Sequence, residues 1–289
     1  MRPTPMKRRD IAARLRRAEI EEADEEAMRL FCRFSGMSRA AALADRDADC
    51  AAAALEAALS RRERREPLCY ILGEADFYGE TYRVSPACLI PRSDTECLVD
   101  IAIRALPRDS CFADFGTGSG CIAISVLSHR PDCRAHAYDI SPAALALARE
   151  NAARNGVADR ITFFEKDLRI PGGVCREMPP GGYAAILSNP PYIESGVLPS
   201  LKPEVAAEPV AALDGGADGL LFYRCFLRDD AAALCPGGFF AFEIGYDQGR
   251  ALENLAAVHG FSCRIFPDLG GRDRVAVLWR GREMQPNGL

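Results

Sequence analysis

The sequence predicts an α/β protein, a parallel sheet with helices on both faces, preceded by a small helical module. Three observations predict it. From about residue 111, short apolar runs alternate with helical patterns, as βαβ units do. The first 66 residues are rich in alanine and charge and poor in strand formers. A glycine-rich turn at 116–120 separates the first apolar run from the helix after it, the position at which open sheets receive ligands.

Residues 1–66 read as successive helices. Basic residues crowd positions 2–17 and acids 19–26, and Leu55 and Leu59 share a helical face within 49–65. These charges read as a solvated face, with a partner-binding surface as the lesser reading. From Pro67 the texture changes. "ADFYGETYRVS" alternates around Gly79, so a hairpin is expected within a 67–93 linker. "IPRSDTECLVDIAIRAL" then restarts a helix, with Ser93 or Asp94 as N-cap, and opens a catalytic domain at 94–289. Strands are expected at 111–115, 135–138, 161–164, 184–187 and 239–244. The helix after Asp139 has Ser141 as N-cap and Pro142 in its first turn. Runs 261–266 and 274–279, joined by "PDLGGRD", form an expected antiparallel edge pair.

Composition excludes several classes. With 289 residues, 48% apolar and 27% charged, the chain suits a soluble globular protein of one large domain, or a large and a small one. A net charge of −5 argues against a broad nucleic-acid-binding face. The twelve cysteines include no C-x-x-C pair, and the three histidines have no metal-like spacing to them. Reduced, mostly buried thiols are expected, with no metal. The arginine-rich start lacks an apolar signal-peptide core, and no apolar run reaches ~18 residues. A cytoplasmic location is the expectation.

The chemistry concentrates in two motifs. In "ADFGTGSGCIAISVL", Gly116, Thr117, Gly118, Ser119 and Gly120 form a turn whose glycines let the backbone approach a ligand. No Gly-Lys-Ser/Thr follows, so it is not a Walker loop. Asp139 ends the next strand 23 residues beyond Gly116, where a carboxylate can accept both ribose hydroxyls of an adenosyl cofactor. Asp114, just before the turn, disfavours a pyrophosphate and suits a zwitterion with an ammonium group. That favours S-adenosylmethionine (SAM) over a dinucleotide. The second motif is "LSNPPYIES", after the fourth strand. Its two prolines fix φ and remove two donors. Asn189 can accept one N–H of a planar amino group and the Pro190 carbonyl the other, restoring density to nitrogen as charge develops. Tyr192 can pack on that group and on the cationic centre. Adenine and amide nitrogens both fit.

On these residues, "DFGTGSG" with "SNPPY", the chain resembles class I SAM-dependent methyltransferases acting on planar amino nitrogens. "PLCYILGEADFYGETYRVSPACLIPRSDTECLVD", "EPVAALDGGADGLLFYR", "FEIGYDQG" and "DLGGRDRVAV" narrow the resemblance to the release-factor glutamine N5-methyltransferases (HemK/PrmC type). It covers Pro67 to the end, and the preceding helices suit that family's helical domain. It implies a class I (Rossmann-like) seven-stranded methyltransferase sheet with a small N-terminal helical domain. The implied reaction moves a methyl group from SAM to the glutamine amide of the Gly-Gly-Gln motif in bacterial class-1 peptide-chain release factors. Neither a membrane nor a nucleic-acid substrate is expected. Asp114, Gly116, Thr117, Gly118, Ser119, Gly120, Asp139, Leu168 and Asn189 are implied to hold SAM, and Asn189, Pro190, Pro191 and Tyr192 the substrate. Asn189, Pro190 and Tyr192 carry the catalytic roles. Leu168 stands where the family often has a large aromatic, and Ser93 where it usually has proline. A ribosomal-protein glutamine methyltransferase would share nearly every motif. A DNA or RNA adenine methyltransferase should add a target-recognition domain and a basic surface.

Overall fold

Two compact units divide the chain: one reaches to Glu74 and includes Lys202–Ala207, the other takes Ala75–Leu201 and Glu208–Leu289. The computed structural model describes residues 5–172, 174 and 176–281.

The first unit is helical, as its composition implies: α1 (Arg8–Arg17), α2 (Ala23–Ser35), α3 (Arg39–Ala44), α4 (Ala53–Glu63) and α5 (Leu68–Leu72). The charge runs sit where helix dipoles favour them. Arg14, Arg16 and Arg17 close α1, while Asp24, Glu25 and Glu26 open α2. Leu55 and Leu59 are fully buried with Ile11, Leu15, Leu30 and Phe31. Two features depart from the all-helix reading that ends at 66. A two-residue ladder pairs β1 (Met6–Lys7) with β2 (Asp49–Cys50), and α5 occupies part of the expected linker because Leu68 joins the helical core. A distant segment also belongs here. Arg62, only 4% exposed, donates to Glu26 Oε2 (2.7 Å) and to Glu204 Oε1 (2.9 Å). A guanidinium buried that deeply needs such partners, and Glu204 lies in α9 (Pro203–Ala206).

The second unit opens with the hairpin β3 (Glu74–Phe77) and β4 (Glu80–Arg83). Tyr78 and Gly79 turn it, both at positive φ (51° and 78°), the geometry of a two-residue hairpin loop. There follow α6 (Glu96–Ala105), β5 (Cys111–Phe115), α7 (Cys121–His129), β6 (Arg134–Asp139), α8 (Pro142–Arg154), β7 (Ile161–Glu165) and β8 (Tyr183–Ser188). After α10 (Leu221–Cys225) come β9 (Leu234–Glu243), α11 (Gly249–Val258), β10 (Ser262–Pro267) and β11 (Asp273–Trp279). One seven-stranded sheet results, in the order β10-β11-β9-β8-β5-β6-β7. β5 to β9 run parallel, and β11 and β10 add antiparallel. The central strands β5 and β8 are buried almost throughout because both sheet faces are covered there, while the edge strands β7 and β10 are partly exposed. Phe112, Leu187 and Phe239 point into one core, Phe115, Ile186 and Phe240 into the other.

Ser141 caps α8, accepting from Ala144 N (3.2 Å), with Pro142 behind it. The caps expected for α6 do not form. Ser93 and Asp94 lie in a 3₁₀ turn, Ser93–Thr95, with no side-chain cap. Asp94 instead faces Arg274 (3.2 Å), an ion pair that only the tertiary fold supplies. The eleven described cysteines are free thiols; Cys175 lies outside the described residues. No described helix is long and apolar enough to cross a membrane.

Candidate active site

Five parallel strands end at one edge of the sheet, so the loops after β5, β6, β7, β8 and β9 converge. The chain order reverses between β5 and its neighbours β6 and β8, which opens a crevice at the carboxyl edge. A cavity of about 610 Å³ lies there, walled by Gly116, Thr117, Gly118 and Ser119, by Asp139 and Ile140, by Leu168, and by Asn189 and Pro191. That volume is in the range of ligand sites, ~300–1,000 Å³.

The glycine turn closes on Asp139. Gly116 and Gly118 have φ of 70° and 54°, which L side chains resist. The turn is pinned to β6 by Gly116 N and Thr117 N, both donating to Tyr138 O (2.8 and 2.9 Å). Asp139 Oδ2 accepts from Gly118 N (2.8 Å) and Oδ1 from Ser141 N (2.9 Å). The carboxylate itself lines the cavity. Burial raises the Asp139 pKa, against the backbone donors that lower it. Exposed apolar side chains gather on the same cavity: Ile140 (47% exposed), Val210 (60%) and Leu221 (37%). Such a patch at a polar rim is what a bound planar or aliphatic group would cover.

Segments 86–92 and 209–212 form another part of the wall. Glu208 joins them. It is 4% exposed, its Oε2 accepts from Ile90 N (2.9 Å), and its Oε1 is ion-paired with Arg92.

Four expected site residues lie behind the wall. Asp114 is fully buried; its Oδ2 accepts from Thr117 Oγ1 (2.6 Å) and Ala123 N (3.3 Å), while Oδ1 has no partner. Burial pushes its pKa up to about 7. Gly120, φ 83°, admits α7 close to α8: a Cβ there would sit 2.8 Å from Ile124 Cδ1 and 3.2 Å from Ala148 Cβ. Pro190 is buried under the turn. Tyr192 packs on the core beneath β8 and β9, its hydroxyl donating to Glu243 Oε1 (3.3 Å). That bond holds it away from the cavity wall.

Two family models match the chain, one described as the methyltransferase small domain over residues 95–216, the other as the PrmC N-terminal domain over residues 8–73. A release factor glutamine methyltransferase of Moorella thermoacetica is 43% identical over 78% of this chain and 79% of its own length. That of Cereibacter sphaeroides is 42% identical over 92% and 95%. The chain belongs to the release factor glutamine methyltransferase family. In fold alone, it also resembles the solved hMettl16 catalytic domain in complex with MAT2A 3'UTR hairpin 1, with a TM-score of 0.57 at 14% identity over 80% of each chain.

As a methyltransferase of this family, the protein places its NPPY turn at the end of β8, and residues far from it in the chain brace it. Asn189 Nδ2 donates to Thr95 Oγ1 (3.2 Å), and Thr95 Oγ1 donates to Glu243 Oε2 (2.5 Å). Gln248 Nε2 donates to Tyr192 O (3.1 Å) while its Oε1 accepts from Gly245 N (2.9 Å). Gly215 packs directly on the Pro191–Tyr192 backbone. None of these braces was singled out from the sequence. "IPRSDTE", "FEIGYDQG" and "LDGGADG" were visible as family segments, but nothing local in them points at Asn189.

Buried carboxyls give the methyltransferase a pH signature. Burial pushes Asp114, Glu243 and Asp230 each up to about 7, from ordinary values near 4. Between those limits the folded state holds more protons than the unfolded one, so stability falls as pH rises through about 7. His136, whose pKa burial lowers, opposes this with a rise toward its ordinary value. Asp139 and Glu208, also raised by burial, act in the same direction as these three, and together they outweigh one lowered group. The unfolding temperature is therefore expected to drop between about pH 5 and 8, with a shallower drop in Glu243→Gln. A temperature that climbs across this window, measured by scanning calorimetry, would contradict the burial assigned to these groups.

Proposed function

We propose that the protein transfers a methyl group from S-adenosylmethionine to the side-chain amide nitrogen of the glutamine in the Gly-Gly-Gln motif of bacterial peptide-chain release factors. The reading rests on one observation above others: Asn189 is held at the carboxyl edge of the sheet with its amide nitrogen occupied, so that its oxygen is the atom left for a planar N–H group. The identities of the relatives favour an amide over adenine.

The residues fit the methyl donor. Asp139 offers its carboxylate to ribose hydroxyls, and Ile140 and Leu168 an apolar wall to the base; Asp114, buried behind the wall, holds the turn through the Thr117 hydroxyl. When bound, SAM supplies an electrophilic methyl group. The protein orients the acceptor. Asn189 Oδ1 takes one amide N–H and the Pro190 carbonyl, to which no donor among the described residues is bonded, takes the other. Both bonds strengthen as positive charge develops on nitrogen. No side-chain base has to act before attack; positioning and electrostatics provide the rate. A cytoplasmic site of action follows from such a substrate. A glutamine amide is too small to be recognised by itself, so selection must come from surface beyond the cavity, and the helical unit at 8–73 is the available extra surface.

Asp139→Ala is expected to weaken SAM binding about 10- to 150-fold, the scale of ~1.5–3 kcal/mol for charge-assisted hydrogen bonds. Calorimetry returning equal affinities would remove Asp139 from the site. The substrate is tested by methyl incorporation into a release factor, its Gly-Gly-Gln glutamine→Ala variant, ribosomal proteins and DNA, side by side. Label is expected on the unaltered release factor alone. Equal labelling of the glutamine variant, or preference for a ribosomal protein or DNA, would overturn the assignment.

A further inference from the structure

The atoms around Asn189 leave its amide only one orientation. Thr95 is 2% exposed and Glu243 1%, so neither can exchange its partner for bulk water. A hydroxyl carries a single hydrogen, and an ionised carboxylate only accepts. The Thr95 hydrogen is spent on Glu243 Oε2 (2.5 Å), which leaves Thr95 Oγ1 with lone pairs alone. Whatever Asn189 turns toward it must therefore donate, and Nδ2 does so at 3.2 Å. The amide oxygen is left for the cavity, whose wall both Thr95 and Asn189 help form. Glu243 is itself fixed. Its Oε1 accepts from Tyr192 (3.3 Å) and its backbone carbonyl accepts from the Tyr223 hydroxyl (2.8 Å). Burial pushes its pKa up to about 7, while the Thr95 hydroxyl, Arg274 and the Tyr192 hydroxyl favour the ionised form, so it is an accepting carboxylate above that pH.

We propose that Thr95 and Glu243 are positioning residues which, acting in series, hold Asn189 as a hydrogen-bond acceptor toward the substrate nitrogen. This rests on the reading that Asn189 binds a planar amide. A flipped Asn189 would oppose its own N–H₂ to that of the substrate, exchanging an attraction that grows in the transition state for a repulsion. An asparagine in a proline-fixed turn cannot choose between its two ends by backbone geometry, because oxygen and NH₂ are nearly the same size. The choice needs a neighbour of fixed hydrogen-bond polarity, and Thr95 has one only because Glu243 consumes its proton. Tyr192, on the second carboxylate oxygen, steadies the same group from beneath the turn.

The test compares Thr95→Val, Thr95→Ser, Glu243→Ala and the double variant Thr95→Val/Glu243→Ala, using the full chain with SAM and a release factor. Thr95→Val keeps the side-chain shape and removes the polarity. It is expected to lower kcat about 10- to 100-fold, as losing one transition-state hydrogen bond would, with KM for the protein substrate and SAM affinity within a few-fold. Thr95→Ser, which restores the hydroxyl, should recover most of the loss. Glu243→Ala should resemble Thr95→Val, and the double variant should fall little further than either, because both act through one amide. Thr95→Val within about threefold of wild type, or Thr95→Ser as poor as Thr95→Val, would overturn the proposal. So would equal losses in kcat and SAM affinity, or fully additive losses in the double variant, since either marks a structural role. Failure of the substrate reading looks different: the wild-type enzyme would then label some other protein, on which the same series still reports the orientation of Asn189.

Discussion

Asn189→Ala is expected to lower kcat about 100- to 1000-fold, the cost of removing a preorganised acceptor from a polar transition state. SAM affinity should stay within a few-fold. The asymmetry has a physical cause. In the proposed reading the cofactor is held by the turn after β5 and by Asp139, whereas the Asn189 oxygen meets the substrate nitrogen. An amide nitrogen is a poor nucleophile because its lone pair is delocalised, and it gains positive charge as it attacks. An acceptor on its N–H therefore contributes more in the transition state than in the ground state, and such an interaction appears in kcat. Truncation also takes from Thr95 Oγ1 the donor 3.2 Å away, but Thr95 keeps its bond to Glu243 Oε2 (2.5 Å). Single-turnover methyl incorporation beside SAM calorimetry separates the effects. A variant that keeps most of its kcat would return the NPPY turn to a purely structural role.

Gly215→Ala should do nearly as much damage without touching any reacting group. A Cβ at Gly215 would lie 2.7 Å from Tyr192 Cα and 2.8 Å from both Pro191 O and Tyr192 C. These are backbone atoms, fixed by two prolines on one side. Gly215 is pinned on the other, its N donating to Ile193 O (2.8 Å) and its carbonyl accepting from Leu221 N (3.1 Å). Neither chain can give by a side-chain rotation, so the turn carrying Asn189 must shift. A displacement near 1 Å in a positioning group costs about 100-fold in rate, and overpacking of this kind typically destabilises by about 1–3 kcal/mol. Gly196→Ala is the matched control: a Cβ there meets nothing within 4 Å, and neither stability nor rate should change. Thermal unfolding and kcat are to be read together on both variants. Wild-type values for Gly215→Ala would show that the two segments do not approach so closely.

The strands, the glycine turn and the strand-end carboxylate were legible because each is a local event. Apolar runs buried on both faces, glycines at φ of 54–83° and an N-cap serine depend on residues within a few positions of one another. The parallel order of β5, β6 and β7 follows from the helices α7 and α8 that connect them. The caps of α6 were misread for the complementary reason. Asp94 fits an N-cap by local rules, yet Arg274, far along the chain, holds it in an ion pair.

The motif residues were legible as a set but not as individuals. Of the glycine turn and the NPPY turn, Gly116, Thr117, Gly118, Ser119, Asn189 and Pro191 line the cavity, while Asp114, Gly120, Pro190 and Tyr192 lie behind it. A string of adjacent residues does not say which face each presents. That is decided by what packs on the other side: α7 on Asp114, α8 against Gly120, Glu243 on Tyr192. The sequence by itself determined the sheet, its ligand-binding edge and the two turns, since strand periodicity and backbone chemistry act over short spans. Only the tertiary structure decided which end of the Asn189 amide faces the cavity. That choice depends on a hydrogen-bond chain from Asn189 to Thr95 to Glu243, across sequence separations of 94 and 148 residues, and a hydrogen bond has a polarity that no residue in the chain carries alone.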